Sequence, residues 1–422
     1  LYRKAYHVFA VLVFAAGMAV LPFIHLFMKN NSYSLSYIRV LYAMWLVRTV
    51  LSYLLTYRKS LLIADQKEYI ASITGLILNV VSYLAIILLV TWEQNYLLAL
   101  GIGTVTEVVL NIWISWYVEQ KYPFLRQRRK EKSTSSLTKR IVRDLKSLFI
   151  SRISEKMLYC TDNLIISGFI GVGTVGRYAN YCMITQAISN ILTILANTIQ
   201  PTVGDYFTEK NRQRNYEILR QLTFGFFCIA SVVSVGLFSL ITPFVRDIWL
   251  GPSYELGWGI TVFCIVVLLV RIMGLPLSLV MGVTGLFEKE KNVGASSALL
   301  NLIVSLALVK PYGMAGVLLG TLLSYLLQIL YRYIIYFRDF LEMPGEALRY
   351  AQDIGEYLAV IAGEVLLMQK IVPLIYGAGG MLLFCVCFLL CIAIPLLLDL
   401  VIFGRGWRLQ SIVTMVKGMR KA

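Results

Sequence analysis

The sequence has few charged residues and no hydrophilic stretch long enough to form a soluble domain. Charged residues make up 15% of the 422 residues, whereas hydrophobic residues make up 58%. Soluble domains carry charge on about a quarter of their residues. The composition therefore excludes an ordinary soluble enzyme and indicates a chain that lies mostly inside a lipid bilayer.

Histidine is nearly absent, and cysteine is confined to apolar segments. His7 and His25 are the only histidines, and neither has a partner at a spacing suited to metal binding or acid–base chemistry. The seven cysteines all fall in apolar segments, where a thiol behaves as a small apolar group. We therefore expect no disulfide framework, no zinc site and no cofactor.

The glycines at 171, 173 and 176 match the dinucleotide-binding pattern Gly-x-Gly-x-x-Gly. That pattern binds a nucleotide only when it follows a strand and opens a helix. Here it lies between two apolar segments with no strand before it, which predicts a tight turn.

Twelve apolar segments predict an all-α, polytopic membrane protein with twelve transmembrane helices, since about 20 apolar residues span a bilayer as a helix. The predicted spans are 7–28, 35–57, 69–91, 95–118, 148–170, 175–204, 220–243, 258–285, 292–310, 313–337, 352–374 and 377–403.

Positive charge alternates along the chain, because most Lys and Arg lie at the two ends and in every second gap between spans. Cytoplasmic loops carry the excess of Lys and Arg, so the pattern predicts that both ends are cytoplasmic. The net charge of +16 then reflects contact with anionic headgroups of the bilayer rather than nucleic acid.

The chain divides at its longest hydrophilic stretch. We predict four helices in 1–118, a basic cytoplasmic linker in 119–147, six helices in 148–340, and an extra helix pair with a basic tail in 341–422. A weak internal repeat relates Leu78-Asn79-Val80 to Leu300-Asn301-Leu302 at an offset of 222 residues. If the repeat is real, a complete first lobe needs two more helices before Leu1.

Polar and charged side chains interrupt several spans, where they normally face a bundle interior or a hydrated cavity. Glu364 and Asp399, in the last two spans, are expected to stand outside such a cavity. The candidate substrate-binding residues are Arg48, Arg152, Lys156, Arg271, Asn163, Asn180, Gln186, Asn190 and Asn197, and the candidate ion-coupling residues are Asp162 and Glu107.

Four of these candidates are cations (Arg48, Arg152, Lys156 and Arg271), and only two are acids (Glu107 and Asp162). The surplus predicts a cavity that is net positive and suited to an anionic substrate. Two structural alternatives remain open. Ser, Thr and Asn side chains also bond helices together, so the polar candidates can be purely structural. Arg152 and Lys156 can extend to the cytoplasmic surface from the end of their helix instead of facing a cavity.

Segment 154–167, with Thr161-Asp162-Asn163 followed by an aliphatic pair and Ser167, resembles the start of the second lobe in bacterial polysaccharide flippases. Arg177-Tyr178-Ala179-Asn180-Tyr181 resembles the short aromatic-Asn element of the same family. Segment 60–67 and Trp249-Leu250-Gly251 with Tyr254 complete the resemblance. These flippases belong to the multidrug, oligosaccharidyl-lipid and polysaccharide exporter superfamily.

The resemblance implies two six-helix lobes around a central cavity, two extra C-terminal helices and alternating access. It implies a flippase of a bacterial inner membrane that moves undecaprenyl-diphosphate-linked oligosaccharide to the outer leaflet and is coupled to an ion gradient. The expected partners are the bilayer, the lipid-linked glycan, and a polysaccharide polymerase and glycosyltransferases, with no nucleic acid. We expect a monomer.

Three other functions stay open. A drug–cation antiporter of the same superfamily would need an acidic, aromatic pocket, whereas the deep charges here are mostly basic. A membrane enzyme of polysaccharide assembly would need an acid–base residue and a large external loop, but the longest outward gap, 244–257, is short. A scaffold without transport would give no reason for buried cations.

Overall fold

The computed structural model describes residues 2–28, 33–55, 58–65, 67–93, 95–123, 160–207, 211–377 and 379–404, and every regular element in these ranges is a helix. The chain forms two units, Leu1–Arg140 and Ile141–Ala422. The predicted all-α membrane fold is therefore confirmed.

Unit 1 contains five α-helices in the part that the structure describes. They are α1 (Tyr2–Val20, continued by the 3-10 helix Leu21–Phe27), α2 (Leu35–Leu55), α3 (Lys59–Ala64), α4 (Glu68–Glu93) and α5 (Tyr96–Lys121).

Unit 2 contains eight α-helices in its described residues. They are α6 (160–169), α7 (Val172–Tyr206), α8 (Arg212–Pro243, continued by the π-helix Phe244–Trp249), α9 (Trp258–Val283), α10 (Phe287–Tyr312), α11 (Met314–Ile334, continued by the π-helix Ile335–Leu341), α12 (Pro344–Tyr376) and α13 (Met381–Phe403).

Eleven helices of the described ranges are long and apolar enough to cross a membrane. They coincide with eleven of the twelve predicted spans. The remaining span, 148–170, is described only from residue 160 onward, as α6. Hydropathy therefore located the membrane helices correctly wherever the structure describes them.

Helix ends differ from the predicted spans where polar residues extend a helix beyond the apolar segment. Helix α8 begins at Arg212 rather than 220, because the Asn211 side chain accepts a hydrogen bond from the Arg214 amide and caps the helix. The glycine pattern is a turn only at Gly171, where φ is 143°, and the following residues belong to α7.

The turn between α3 and α4 is fastened to the end of α5. Asp65 Oδ2 accepts hydrogen bonds from Lys67 Nζ and the Tyr122 hydroxyl, each at 2.5 Å. The Lys67 and Tyr122 hydrogen bonds hold the pKa of Asp65 below its ordinary value. The same bond to the Asp65 carboxylate raises the pKa of the Tyr122 phenol.

Helix α8 lies at the centre of unit 2, and it packs against α9, α12 and α13. Phe224 and Phe227 of α8 contact Tyr357 of α12 and Phe403 of α13 with ring centroids 4.5–5.9 Å apart. Aromatic groups bury large apolar areas, and such pairs add stabilisation beyond that burial. The last two helices are therefore part of the core of unit 2.

Polar contacts show that α8 and α12 run parallel. Arg220 Nε donates to Asp353 Oδ2 at 2.7 Å, and eleven residues further along both helices Ser231 Oγ donates to Glu364 Oε2 at 2.6 Å. Both pairs are separated by 133 residues in sequence. This constant offset fixes one register between the two helices.

Candidate functional site

Arg48 of α2 forms an ion pair with Glu107 of α5. The distance between Arg48 Nε and Glu107 Oε2 is 2.7 Å, and the two side chains are 29% and 31% exposed. The guanidinium also lies 5.1 Å from the centroid of the Trp45 ring, which provides a cation–π contact. The pair thus joins two helices while part of each group stays accessible.

The ion pair neutralises a cation that the sequence predicted to be unbalanced. The sequence suggested Arg48 as one of several cations that acids could not neutralise, yet its charge is balanced directly by Glu107. Among the described candidates, the cations Arg48 and Arg271 equal the acids Glu107 and Asp162 in number, so the expected positive surplus depends on Arg152 and Lys156. Arg152 and Lys156 lie outside the described residues.

Arg271 lies on α9, three residues before Gly274, and is half-buried. Its guanidinium is 5.5 Å from the centroid of the Tyr325 ring on α11. Gly274 permits this close packing of α9 and α11, since a Cβ atom there would lie 2.9 Å from Ile329. Unit 2 therefore carries a partly accessible cation supported by an aromatic ring.

Asp162 is buried between α6, α10 and α11, and it is 4% exposed. Thr321 Oγ1 donates to Asp162 Oδ2 at 2.6 Å, and Asn301 Nδ2 donates to Asp162 Oδ1 at 3.3 Å. Asn301 Nδ2 also lies 2.9 Å from Thr321 Oγ1. Three side chains that are distant in sequence thus form one hydrogen-bonded group.

The sequence indicated Asn301 only as half of a repeat and gave no role to Thr321. The repeat places Asn79 on α4 in the equivalent position, but Asn79 is exposed whereas Asn301 is fully buried. Asn301 donates to the Asp162 carboxyl across the helix contact. The one sequence signal for this group was the amide of Asn301 within an apolar span, since polar side chains in membrane helices often bond across helices.

Helix α7 presents a row of amide side chains on the surface of unit 2. Asn190 and Asn197 are exposed, Gln186 is half-buried, and Gln186 Nε2 donates to Asn190 Oδ1 at 2.8 Å. Spacings of four and seven residues put these groups on one face of the helix. Asn163 of α6 is also exposed. Amides at such positions are costly against lipid and are suited to a hydrated path.

Asn180 differs from the other predicted polar ligands. Its Nδ2 donates to the Gly176 carbonyl of its own helix at 3.0 Å. The side chain therefore satisfies the backbone near the start of α7, which is a local structural role.

The described residues contain no cluster of three or more His, Cys, Asp or Glu side chains arranged to hold a metal ion. His25 lies in the 3-10 helix after α1, and its Nδ1 is 3.0 Å from the Pro22 carbonyl. The candidate residues provide groups for ion pairing, hydrogen bonding and proton exchange.

The fold is similar to that of two solved transporters. The structure of lipid II flippase MurJ in an inward closed conformation aligns with a TM-score of 0.70 at 14% identity, covering 96% of this chain and 83% of that one. A variant of the Vibrio cholerae MATE transporter VcmN aligns with a TM-score of 0.51 at 11% identity, covering 80% and 76%.

Comparison with curated proteins finds no match. Comparison with family models matches residues 4–207 to the family described as polysaccharide biosynthesis protein. The matched region includes the resembling segments 60–67 and 154–167. This match covers slightly less than half of the chain and agrees with the resemblance to polysaccharide flippases predicted from the sequence.

Proposed function

We propose that this protein is a flippase for a lipid-linked oligosaccharide whose lipid is joined through a diphosphate, with undecaprenyl as the lipid. It moves the glycan from the cytoplasmic to the outer leaflet of a bacterial inner membrane by alternating access. The observation that carries the proposal is the row of exposed amides on α7, a transmembrane helix. Sugar hydroxyls are both donors and acceptors, as are amide side chains.

Cations on each unit support an anionic substrate. Arg48 stays partly exposed beside Glu107, and Arg271 is half-buried beside Tyr325. A guanidinium can bind a phosphate through two parallel hydrogen bonds. Arg48 and Arg271 are therefore proposed as phosphate-binding cations. Arg152 and Lys156 are proposed to add to this charge.

Asp162 is the proposed ion-coupling residue. Its carboxyl is buried, and its described partners are neutral donors, so uptake of a proton requires no ion pair to break. Glu107 is the weaker candidate, because protonation would leave Arg48 without its counter-ion.

A drug exporter is the second candidate, and the likeness to the VcmN fold favours it. The amide row carries no acid, however, and a cationic drug requires one. An enzyme is less favoured because the outward gap 244–257 is largely helical, with a π-helix at Phe244–Trp249 and a 3-10 turn at Pro252–Tyr254. Little irregular loop is left to hold a catalytic residue.

The proposal is tested by complementation of a bacterial strain that lacks its own lipid-linked oligosaccharide flippase. The wild-type protein should restore surface polysaccharide, and the double substitution Asn190→Leu and Asn197→Leu should reduce it at least tenfold at equal protein level. Thr198→Val is the matched control, because Thr198 is exposed on another face of α7 and bonds its own helix.

An equal loss of surface polysaccharide in the double variant and in the control would show that the amide row does not contact the transported glycan. Absence of complementation by the wild type, together with export of cationic dyes, would favour the drug exporter.

A further inference from the structure

Two carboxyl groups of the last two helices meet inside unit 2. Glu364 of α12 is 3% exposed and Asp399 of α13 is 4% exposed. Ser231 of α8, which is fully buried, donates its hydroxyl to Glu364 Oε2 at 2.6 Å. The three helices α8, α12 and α13 therefore converge on a small polar group within an apolar, aromatic core.

The acceptors in this group outnumber the donors. Within the described part of the chain, Glu364 Oε1 and both carboxyl oxygens of Asp399 have no hydrogen-bond partner. A buried carboxylate without a partner is strongly disfavoured in an apolar environment. Two neighbouring carboxylates disfavour each other's charge as well.

The groups that face this pair come from all three helices. Cys228 of α8, Glu364 of α12 and Asp399 of α13 lie within electrostatic range of one another, and the neutral Ser231 hydroxyl of α8 lies beside the carboxyls. Arg220 of α8 also faces α12, but it forms an ion pair with Asp353. That ion pair lies about 16 Å along the helix axis from the contact between Ser231 and Glu364. Arg220 therefore balances Asp353 rather than the two carboxyls of this group.

We propose that Glu364, Asp399 and Ser231 form a proton-binding site at the junction of α8, α12 and α13, distinct from the group around Asp162. One proton bound between the two carboxyls supplies the missing donor and removes one of the two charges. The cation is a proton rather than a metal ion because the group offers only two carboxyls and one hydroxyl in a closely packed core. Coupled carboxyls of this kind release their protons in two separate steps.

The site is tested on the full chain in lipid nanodiscs by infrared difference spectroscopy across a pH titration, without substrate. The wild type should show the carbonyl band of a protonated carboxyl that persists at neutral pH. The double substitution Glu364→Gln and Asp399→Asn should remove it, and each single substitution should convert a two-step titration into one step. Glu217→Gln, an exposed carboxyl on α8, is the matched control and should leave the band unchanged.

Ser231→Ala keeps both carboxyls and covers the case in which the double variant does not fold. It should move the midpoint of the band, whereas Ser234→Ala, one turn further along α8, should not. Persistence of the band in a folded double variant, or no response to Ser231→Ala, would overturn the site. Displacement of the band by sodium ions would overturn its assignment to a proton. Asp162→Asn should leave this band in place, so a failure of the proposed transport function is distinguished from a failure of the site.

Discussion

Asp162 accepts hydrogen bonds from residues 139 and 159 positions away in the sequence, Asn301 and Thr321. Its location at a junction of three helices permits both a structural and a proton-carrying role. Those roles respond differently to the charge of the side chain, so a substitution that keeps the shape of the carboxyl separates them.

Asp162→Asn is expected to leave the amount of folded protein near normal and to reduce glycan export at least tenfold. The amide oxygen can still accept from Thr321, but the group can no longer exchange a proton. Thr321→Val should instead lower stability. It keeps the carboxyl but removes one hydrogen-bond donor, so the free energy of unfolding should fall by about 1–3 kcal/mol. Complementation and thermal unfolding measure the two effects. Full export by Asp162→Asn would exclude the coupling role.

Arg48→Ala and Arg271→Ala are expected to lower export of lipid-linked glycan at least tenfold, whereas Lys at either position retains part of it. Each guanidinium contact with an anionic group contributes about 1.5–3 kcal/mol. The control for Arg48 is the double substitution Arg48→Ala and Glu107→Ala, which removes the unpaired acid and should restore protein level without restoring export. Restored export in that double variant would show that Arg48 acts only as a counter-ion of Glu107.

At the scale of a helix connection, the Asp65 carboxylate is the acceptor that joins the turn after α3 to the end of α5. The pKa of Asp65 is lower in the folded protein than in the unfolded chain. The ionised carboxylate therefore stabilises the fold at pH values above the ordinary Asp range, and this stabilisation is lost as the pH falls through the lowered pKa. The contacts to Lys67 and Tyr122 are therefore intact at neutral pH. Acidification below the ordinary Asp range should release the end of α5 from the turn.

Asp65→Asn should bring the pKa of the Tyr122 phenol down toward its ordinary value of about 10, because the neutral amide no longer favours the protonated phenol. The titration is read as the ultraviolet difference between each protein and its Tyr122→Phe counterpart. Glu68→Gln, a neighbouring acid without a bond to Tyr122, is the control and should leave the titration unchanged. An unshifted phenol in Asp65→Asn would contradict the fastening of this turn.

Small residues let α10 and α11 pack closely, and this contact holds Asn301 and Thr321 together. A Cβ atom at Gly316 would lie 2.4 Å from the backbone oxygen of Leu308, and one at Gly320 would lie 2.4 Å from Ser305 Oγ. The contact to a backbone oxygen cannot be relieved by a side-chain rotation. The two helices would have to separate.

Gly316→Ala should therefore lower the free energy of unfolding by about 1–3 kcal/mol, the usual cost of overpacking. Gly363→Ala on α12 is the matched control, since a Cβ atom there meets nothing within 4 Å. That control should be neutral or should stabilise by about 0.5–1 kcal/mol through reduced backbone freedom. Equal thermal unfolding of the two variants would show that α10 and α11 tolerate separation.

At the scale of the whole molecule, charge alternation predicts the orientation in the membrane. Single cysteines introduced at Gly173 and Gly379, in a variant without native cysteines, should react with a membrane-impermeant thiol reagent in intact cells. A cysteine at Ser135, in the basic segment, should react only after the cells are opened. Labelling of Ser135 in intact cells would reverse the predicted orientation.

Hydropathy and charge were enough to locate the spans, because a bilayer forces each spanning segment to be apolar and of fixed length. They could not reveal that Arg48 pairs with Glu107, since the charges lie on helices separated by other elements. They also placed Glu364 and Asp399 as two separate residues. Their meeting at Ser231 depends on the register of α8 with α12, which local sequence patterns do not encode.

The order of synthesis gives the Asp162 group a further consequence. The ribosome adds about 5–20 residues per second, so Thr321 emerges roughly 8–30 s after Asp162, 159 residues later. Until Asn301 emerges, 139 residues after Asp162, the carboxyl has neither of its two described donors. The hydrogen-bonded group around Asp162 is therefore completed only after α10 and α11 have been synthesised.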